Sequence, residues 1–359
     1  MTRTLTPLSR LGLVMTAALL AATPALRAQD APEPLVVVTT LPYLADLVRQ
    51  VGGDHVEVQA LVQPGQDPHF VQPTPALSVT LARAEVFLEN GLQLELWTER
   101  VIDAARNARI RPGAPGHAYA ATGVTPQQVP AQQTRASGDV HPGGNPHVWL
   151  DPLNLKVIAR NVEQRLGAAR PELAATFQRN REAFERRLDD ACFGPELVKV
   201  LGASLLERLQ RTGRLRTFLQ ERRLQDRPLA ERAGGWLRRA LDLGDLSMIA
   251  YHQDWTYFAQ AFGVRVVATI EEKPGIPPSP GHLETLRRVA QTNHTRVVSY
   301  SPFYPASRAE GVAELVGGVA VQLPTQPGEA EGATDVFRLF DVIFARLEGA
   351  SRRVAERGQ

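Results

Sequence analysis

Twice along the 359-residue chain, short apolar runs rich in β-branched residues alternate with stretches of helical periodicity. This alternation constrains the fold more than any other feature. Parallel strands need a crossover between them, and a helix is the usual crossover. In the first series, Leu35–Thr39 reads as a strand covered on both faces. Residues 43–51 read as a helix closed by Gly52-Gly53, and 56–62 as a second strand. Thr74-Pro75 can open a helix, and 86–88 is a third strand. The second series has strands at 246–250, 264–270, 297–300 and 319–323, with helices at 255–262, 282–292, 306–316 and 335–347. Phe337, Phe340, Ile343 and Phe344 fall on one side of the last helix. A chain of this length outgrows a single core. The expected fold is α/β: two lobes, each with a mainly parallel sheet flanked by helices, facing each other across a cleft.

Between the two series the pattern changes. Residues 113–144 are rich in Pro, Gly, Gln and Ala and read in part as an exposed, mobile loop. Asp151-Pro152 supplies a cap and first residue for a helix, which continues past a break at Pro171 to about Cys192. A long helix here would bridge the lobes. Residues 193–243 carry Arg208, Arg211, Arg214, Arg216, Arg222 and Arg223 among leucines, the pattern of a solvated amphipathic insertion. The expected divisions are an N-terminal lobe at 29–165, a linker helix at 166–192, the arginine-rich insertion at 193–243 and a C-terminal lobe at 244–350.

The first 28 residues read as a secretory signal. Arg3 and Arg10 precede an apolar run at 11–22, and small residues follow Thr23-Pro24. No later segment reaches 18 uninterrupted apolar residues, so an exported, soluble, periplasmic protein is expected. The single cysteine, Cys192, excludes an internal disulfide and thiolate zinc sites of the zinc-finger type. A formal net charge of +2 with mixed signs gives no footprint for nucleic acid.

Three of the eight histidines stand where an α/β fold places functional groups. His69 follows the second strand in Asp67-Pro68-His69. His147 lies in Asn145-Pro146-His147-Val148-Trp149. His252 follows the strand at 246–250. Two share an Xaa-Pro-His frame, in which proline stiffens the backbone before the ring and lowers the entropy lost on binding. Neutral imidazole is a ligand for divalent transition metals. A joint site would tie distant segments to one ion.

At these residues the chain resembles the cluster A-I, TroA-like, metal-binding receptors of bacterial importers. Gly65-Gln66-Asp67-Pro68-His69 with Pro73-Thr74-Pro75 resembles the first ligand motif, and Asn145 through Pro152 the second. Tyr251-His252-Gln253-Asp254-Trp255-Thr256-Tyr257-Phe258 with Phe262-Gly263 resembles the third, and Asn90-Gly91 with Glu95-Leu96-Trp97 also fits. The likeness runs from about residue 35 to 347, interrupted at 193–243. It implies a receptor that holds a metal between two lobes and delivers it to the membrane permease of an ABC importer; a monomer is expected. It also implies a His/Asp-rich loop before the second ligand. Here that place holds only Asp139, His141 and Gly143-Gly144, so His141 reads as a mobile surface residue with at most an assisting role.

The chain departs from this family at the fourth ligand. Where many members supply a carboxylate near the last strand, this chain has Thr325, a poor zinc ligand. Glu271, after the strand at 264–270, is the expected substitute, with Glu272 or water as alternatives. Asp254 is a candidate to orient His252, or equally an ordinary helix-start carboxylate. Three imidazoles and one oxygen favour Zn2+ over Mn2+, which prefers more carboxylates.

Three rivals share parts of this pattern. A zinc hydrolase would need a general base at an open coordination position, yet no His-Glu-Xaa-Xaa-His or Gly-Xaa-Ser-Xaa-Gly stretch exists. A receptor for a chelated metal would want an aromatic cleft, and aromatics make up 6% of the chain. An adhesin-like surface protein would show attachment independent of metal uptake.

Overall fold

The computed structural model describes residues 1–2, 33–130, 141–273 and 275–357. The expected signal segment and residues 131–140 of the expected loop lie outside the described residues.

The first lobe holds β1 (Leu35–Thr39), α1 (Pro42–Gly52), β2 (Val56–Ala60), α2 (Pro75–Ala82), β3 (Val86–Glu89), α3 (Thr98–Ala105) and β4 (His117–Tyr119). Its four strands are all parallel, in the order β2-β1-β3-β4. β1 is buried at all but one position, as a strand packed on both faces must be. α1 begins with proline at its first position, where the missing N–H costs nothing.

α4 (Pro152–Ala169) and α5 (Ala174–Phe193) follow, separated at Pro171 as expected. The Asp151 carboxylate caps α4, accepting the Leu153 N–H at 2.8 Å. The 20-residue α5 is the long helix in the middle, packed on α1 and α4 and on the later α9 (Gly235–Asp242).

The second lobe holds β7 (Ser247–Ala250), α10 (Thr256–Phe262), β8 (Arg265–Thr269), α11 (Pro280–Asn293), β9 (Val297–Tyr300), α12 (Ala306–Leu315), β10 (Val319–Gln322) and α13 (Val336–Arg357). Its sheet is again all parallel, ordered β10-β9-β7-β8. α13 runs ten residues beyond the expected end at 347. From its middle onward, α13 carries arginines over the sheet edge. Arg346, Arg353 and Arg357 donate to the carbonyls of Gln322, Ala320 and Gly318, covering the open side of β10.

The insertion forms α6 (Pro195–Leu201), α7 (Ala203–Arg211), α8 (Leu215–Glu221) and a hairpin of β5 (Arg223–Leu224) with β6 (Arg227–Pro228) before α9. It is solvated outside and anchored inside. Arg208, Arg214, Arg222 and Arg223 are exposed, whereas Leu197, Leu206, Leu215 and Leu219 join the main core. Arg211 and Arg216 donate to the carbonyls of Leu153 and Ala240. Its two ends meet where Gly194 and Gly234 pack backbone to backbone, and the Gly234 N–H donates to Phe193 O at 2.9 Å.

Part of the region expected as an exposed loop is neither loop nor exposed. β4 lies within it, and Ala120, Ala121 and His141 are buried. A three-residue edge strand among alanines and glycines leaves no apolar alternation to read.

Candidate metal centre

Two of the three histidines follow the carboxyl ends of strands, and the third lies just before α4. His69 comes from the β2–α2 loop, His147 from the segment after β4, and His252 two residues past β7. The structure brings them together. One nitrogen from each ring falls within 4.8 Å of the other two, and the ring centroids are 5.2, 5.3 and 5.6 Å apart. Their side chains are 3%, 3% and 6% exposed, so few water molecules compete for them.

The shared Xaa-Pro-His frame is a locking device. In Asp67-Pro68-His69, Asp67 Oδ1 accepts both the backbone N–H of His69 at 3.0 Å and its ring Nδ1 at 2.8 Å. In Asn145-Pro146-His147, Asn145 Oδ1 takes the same two donors at 3.0 and 2.9 Å. The Asn145 amide nitrogen is spoken for by Gln128 Oε1 and Gln253 O, which fixes the oxygen toward the ring. Sequence reasoning credited the proline and missed the residue before it. The signal was present: both frames begin with a side-chain carbonyl or carboxylate two residues ahead of the histidine. His252 is held from another element, its Nδ1 lying 2.7 Å from Glu271 Oε2.

An acceptor on each Nδ1 puts the proton there and leaves Nε2 as the lone-pair donor. His69 Nε2 is buried without a hydrogen-bond partner. His147 Nε2 lies 3.2 Å from Asp254 Oδ1. The other Asp254 oxygen accepts the Ser301 hydroxyl at 2.9 Å.

Glu271, expected as the fourth ligand, lies against His252 Nδ1 and outside the three-histidine set. The Gly275 N–H occupies the same oxygen at 3.1 Å. Glu272 instead accepts the Ser279 hydroxyl. Asp254, expected to orient His252, faces His147 instead. Thr325 is buried, and its N–H and hydroxyl both donate to Glu329 Oε2, at 2.6 and 3.1 Å. So the loop after β10 does carry a buried carboxylate, four residues later than the family pattern. Burial, against three hydrogen bonds from Thr325 and Gln326, pushes Glu329 up to about 7.

His141 departs from expectation. It is buried, its ring centroid is 5.3 Å from that of His69, and its Nδ1 lies 3.1 Å from Gln93 O. Other histidines serve structure: His117 Nε2 contacts Glu89 Oε1 at 2.5 Å, and His282 Nε2 contacts Thr269 O at 2.8 Å.

The electrostatics suit a dication. Burial first, then the neighbouring His69, His252 and His141, drive His147 well below the usual imidazole range, so it stays neutral. Burial opposes charge on His252, but the Glu271 hydrogen bond and the Asp254, Glu271 and Asp67 carboxylates outweigh it and raise its pKa. Burial likewise opposes ionisation of Asp67, and its bonds and charge interaction with His69 overcome this, lowering its pKa.

A family model described as "ZnuA: Zinc-uptake complex component A periplasmic" matches residues 37–191. "Iron-binding protein YfeA" of Yersinia pestis is 31% identical over 199 residues, 55% of this chain and 55% of that protein. "Manganese ABC transporter substrate-binding lipoprotein PsaA" of Streptococcus pneumoniae is 27% identical over 174 residues, 47% of this chain and 53% of its own length. The chain thus matches about half the length of these curated relatives. The crystal structure of ZnuA shares the fold with a TM-score of 0.64 at 21% identity, covering 89% of this chain and 100% of that one. Over residues 37–191 by sequence and across both lobes by fold, the chain is similar to the ZnuA/TroA metal-binding receptor proteins.

Proposed function

We propose that this chain is the extracytoplasmic substrate-binding receptor of an ABC-type importer for a divalent transition metal, with zinc as its cargo. The observation that carries this reading is the buried His69 Nε2, which has no hydrogen-bond partner and faces two other imidazoles whose Nδ1 atoms are also occupied. A buried nitrogen lone pair without a donor is costly. A shared cation would satisfy all three at once.

His69, His147 and His252 supply the nitrogens in this reading. Asp254, whose Oδ1 lies 3.2 Å from His147 Nε2, is the oxygen donor in this reading, and Glu271 holds the His252 ring. Three nitrogens and one carboxylate suit four-coordinate zinc. Relatives named for iron and manganese make those ions the direct competitors. Delivery to a permease, a periplasmic location and a monomeric state complete the proposal. It leaves no role for hydrolysis.

The test is metal analysis of the purified chain, followed by titration of the metal-free chain with zinc, manganese and ferrous iron in competition. The parent is expected to take up one ion, zinc most tightly. His69→Ala, His147→Ala and His252→Ala are each expected to lose most of the affinity. A parent chain that binds no divalent metal overturns the reading, and stronger retention of manganese or iron overturns zinc.

A further inference from the structure

Behind the metal-binding loops, a polar cavity of about 190 Å³ opens where the first lobe, α10 and the insertion meet. At ~30 Å³ per water, that is room for about six waters, or one small organic molecule. Its lining includes Gln127, Asp151, Gln210, Arg211, Tyr257 and Gln260.

Three observations mark it as more than a surface dent. Gln210 is only 7% exposed, yet its Nε2 is buried with no hydrogen-bond partner. A buried amide donor left unpaired costs about 1–3 kcal/mol, which a ligand acceptor would relieve. Arg211 and Asp151 bring opposite charges to the same cavity without pairing with each other. Each is held by the Leu153 peptide, Arg211 Nη2 on its carbonyl at 3.1 Å and Asp151 Oδ1 on its N–H at 2.8 Å. The second Asp151 oxygen carries no hydrogen bond among the described residues. Finally, Gln210 and Arg211 both belong to the insertion at 193–243, which interrupts the likeness to the receptor family.

A separated cation and anion, flanked by amides, complement a molecule that itself carries both charges. We propose that this cavity is a second binding site for a zwitterion of amino-acid size. Arg211 and the Gln210 amide take the carboxylate, and Asp151 takes the ammonium group. The cavity adjoins the metal loop. Tyr257 accepts from the Gln127 N–H at 3.0 Å and donates to Asn145 O at 2.8 Å, two residues before His147.

The probe is glycine, added to the metal-free full-length chain so that chelation plays no part. Binding is read as heat of titration and as a shift in the thermal midpoint. Glycine is expected to bind and raise the midpoint, while acetate and methylamine at equal concentration are not. Arg211→Met is expected to weaken glycine binding about tenfold or more, as for loss of a charge-assisted bond. Gln210→Leu, which leaves both charges in place, is expected to weaken it less. Unchanged zinc affinity in each variant shows that it still folds. No binding of glycine overturns the proposal. So does equal glycine binding by Arg211→Met, or an acetate response as large as that to glycine.

Discussion

Glu271 Oε2 lies 2.7 Å from His252 Nδ1, on the side of the ring that faces away from His69 Nε2 and His147 Nε2 in the coordination scheme proposed above. Asp254 Oδ1, by contrast, is 3.2 Å from His147 Nε2. These two buried carboxylates have different jobs, and substitution separates them. Glu271→Gln keeps a hydrogen-bond acceptor near Nδ1 and removes only charge. It is expected to cost about 10–100-fold in metal affinity, as for outer partners of metal-bound histidines. Asp254→Ala removes the proposed oxygen donor and is expected to cost more. Competition against a chelator of known affinity measures both. If Glu271→Gln proves the more damaging, the two roles have been assigned the wrong way round.

A second prediction concerns pH. Glu95 is buried in the first lobe, where Thr40 Oγ1 and the Asn90 N–H donate to Oε1 at 2.6 and 2.7 Å, and the Gly91 N–H to Oε2 at 3.2 Å. Burial and then the Glu89 charge outweigh those bonds and push its pKa from 4.5 to about 8. The folded chain therefore holds a proton that the unfolded chain has released across that window. The stabilisation is complete below about 4.5 and is lost as pH rises through about 8. The slope from one such group is at most about 1.4 kcal/mol per pH unit. Asp151, at about 6, and Glu329, at about 7, tilt stability in the same direction. The readout is therefore the difference between Glu95→Gln and the parent, from urea unfolding of the metal-free chain at pH 5 to 8. The variant is expected to show the flatter profile. Parallel profiles would remove Glu95 from the account.

How much of this was legible in the sequence depended on where the information lay. The parallel strands were readable because β1 and β7 are buried throughout or nearly so, which leaves a continuous apolar run. His69, His147 and His252 were readable because each stands in a stiff or strand-terminal setting. The partners of their rings were harder. Asp67 and Asn145 act over two residues and left a local trace, whereas Glu271 and Asp254 exchange roles through contacts across different elements. Spacing along the chain cannot say which ring nitrogen a carboxylate meets. His141 and β4 were misread for the same reason. Their burial comes from packing against other segments, and the Pro/Gly-rich composition around them signals only irregular backbone.

The insertion is joined to α4 by a buried charge, and this too can be tested. Lys156 Nζ lies 2.5 Å from both Asp189 Oδ1 and Glu207 Oε1, with the lysine and aspartate side chains 5% and 9% exposed. Removing one partner of a buried pair leaves the other uncompensated, at about 3–5 kcal/mol. Lys156→Met is expected to destabilise the chain by about 3 kcal/mol, since Glu207 is 25% exposed and can turn to water. Lys156→Met with Asp189→Leu should recover much of that loss, because no charge is then stranded. Denaturant midpoints of the single and double variants decide it. A double variant no better than the single one would mean that packing, and not charge, dominates here.

The neck of the insertion gives the last test, with a control built into the same segment. Gly194 and Gly202 have almost the same backbone conformation, φ 84° and ψ 140° against φ 77° and ψ 142°. Their surroundings differ. A Cβ on Gly194 falls 2.5 Å from the Cα of Gly234, which is backbone and cannot step aside, whereas a Cβ on Gly202 has nothing within 4 Å. Alanine at either site carries the strain of a positive-φ, extended-ψ conformation that glycine alone adopts readily, about 1–3 kcal/mol. At Gly194 it must also push apart the two strands of chain that close the insertion. Gly194→Ala is therefore expected to destabilise by about 1–3 kcal/mol more than Gly202→Ala in urea unfolding, in the usual range for overpacking. Zinc affinity should stay unchanged in both, because neither position touches the histidine loops. Equal losses at the two glycines would mean that the insertion closes without help from the Gly194–Gly234 contact.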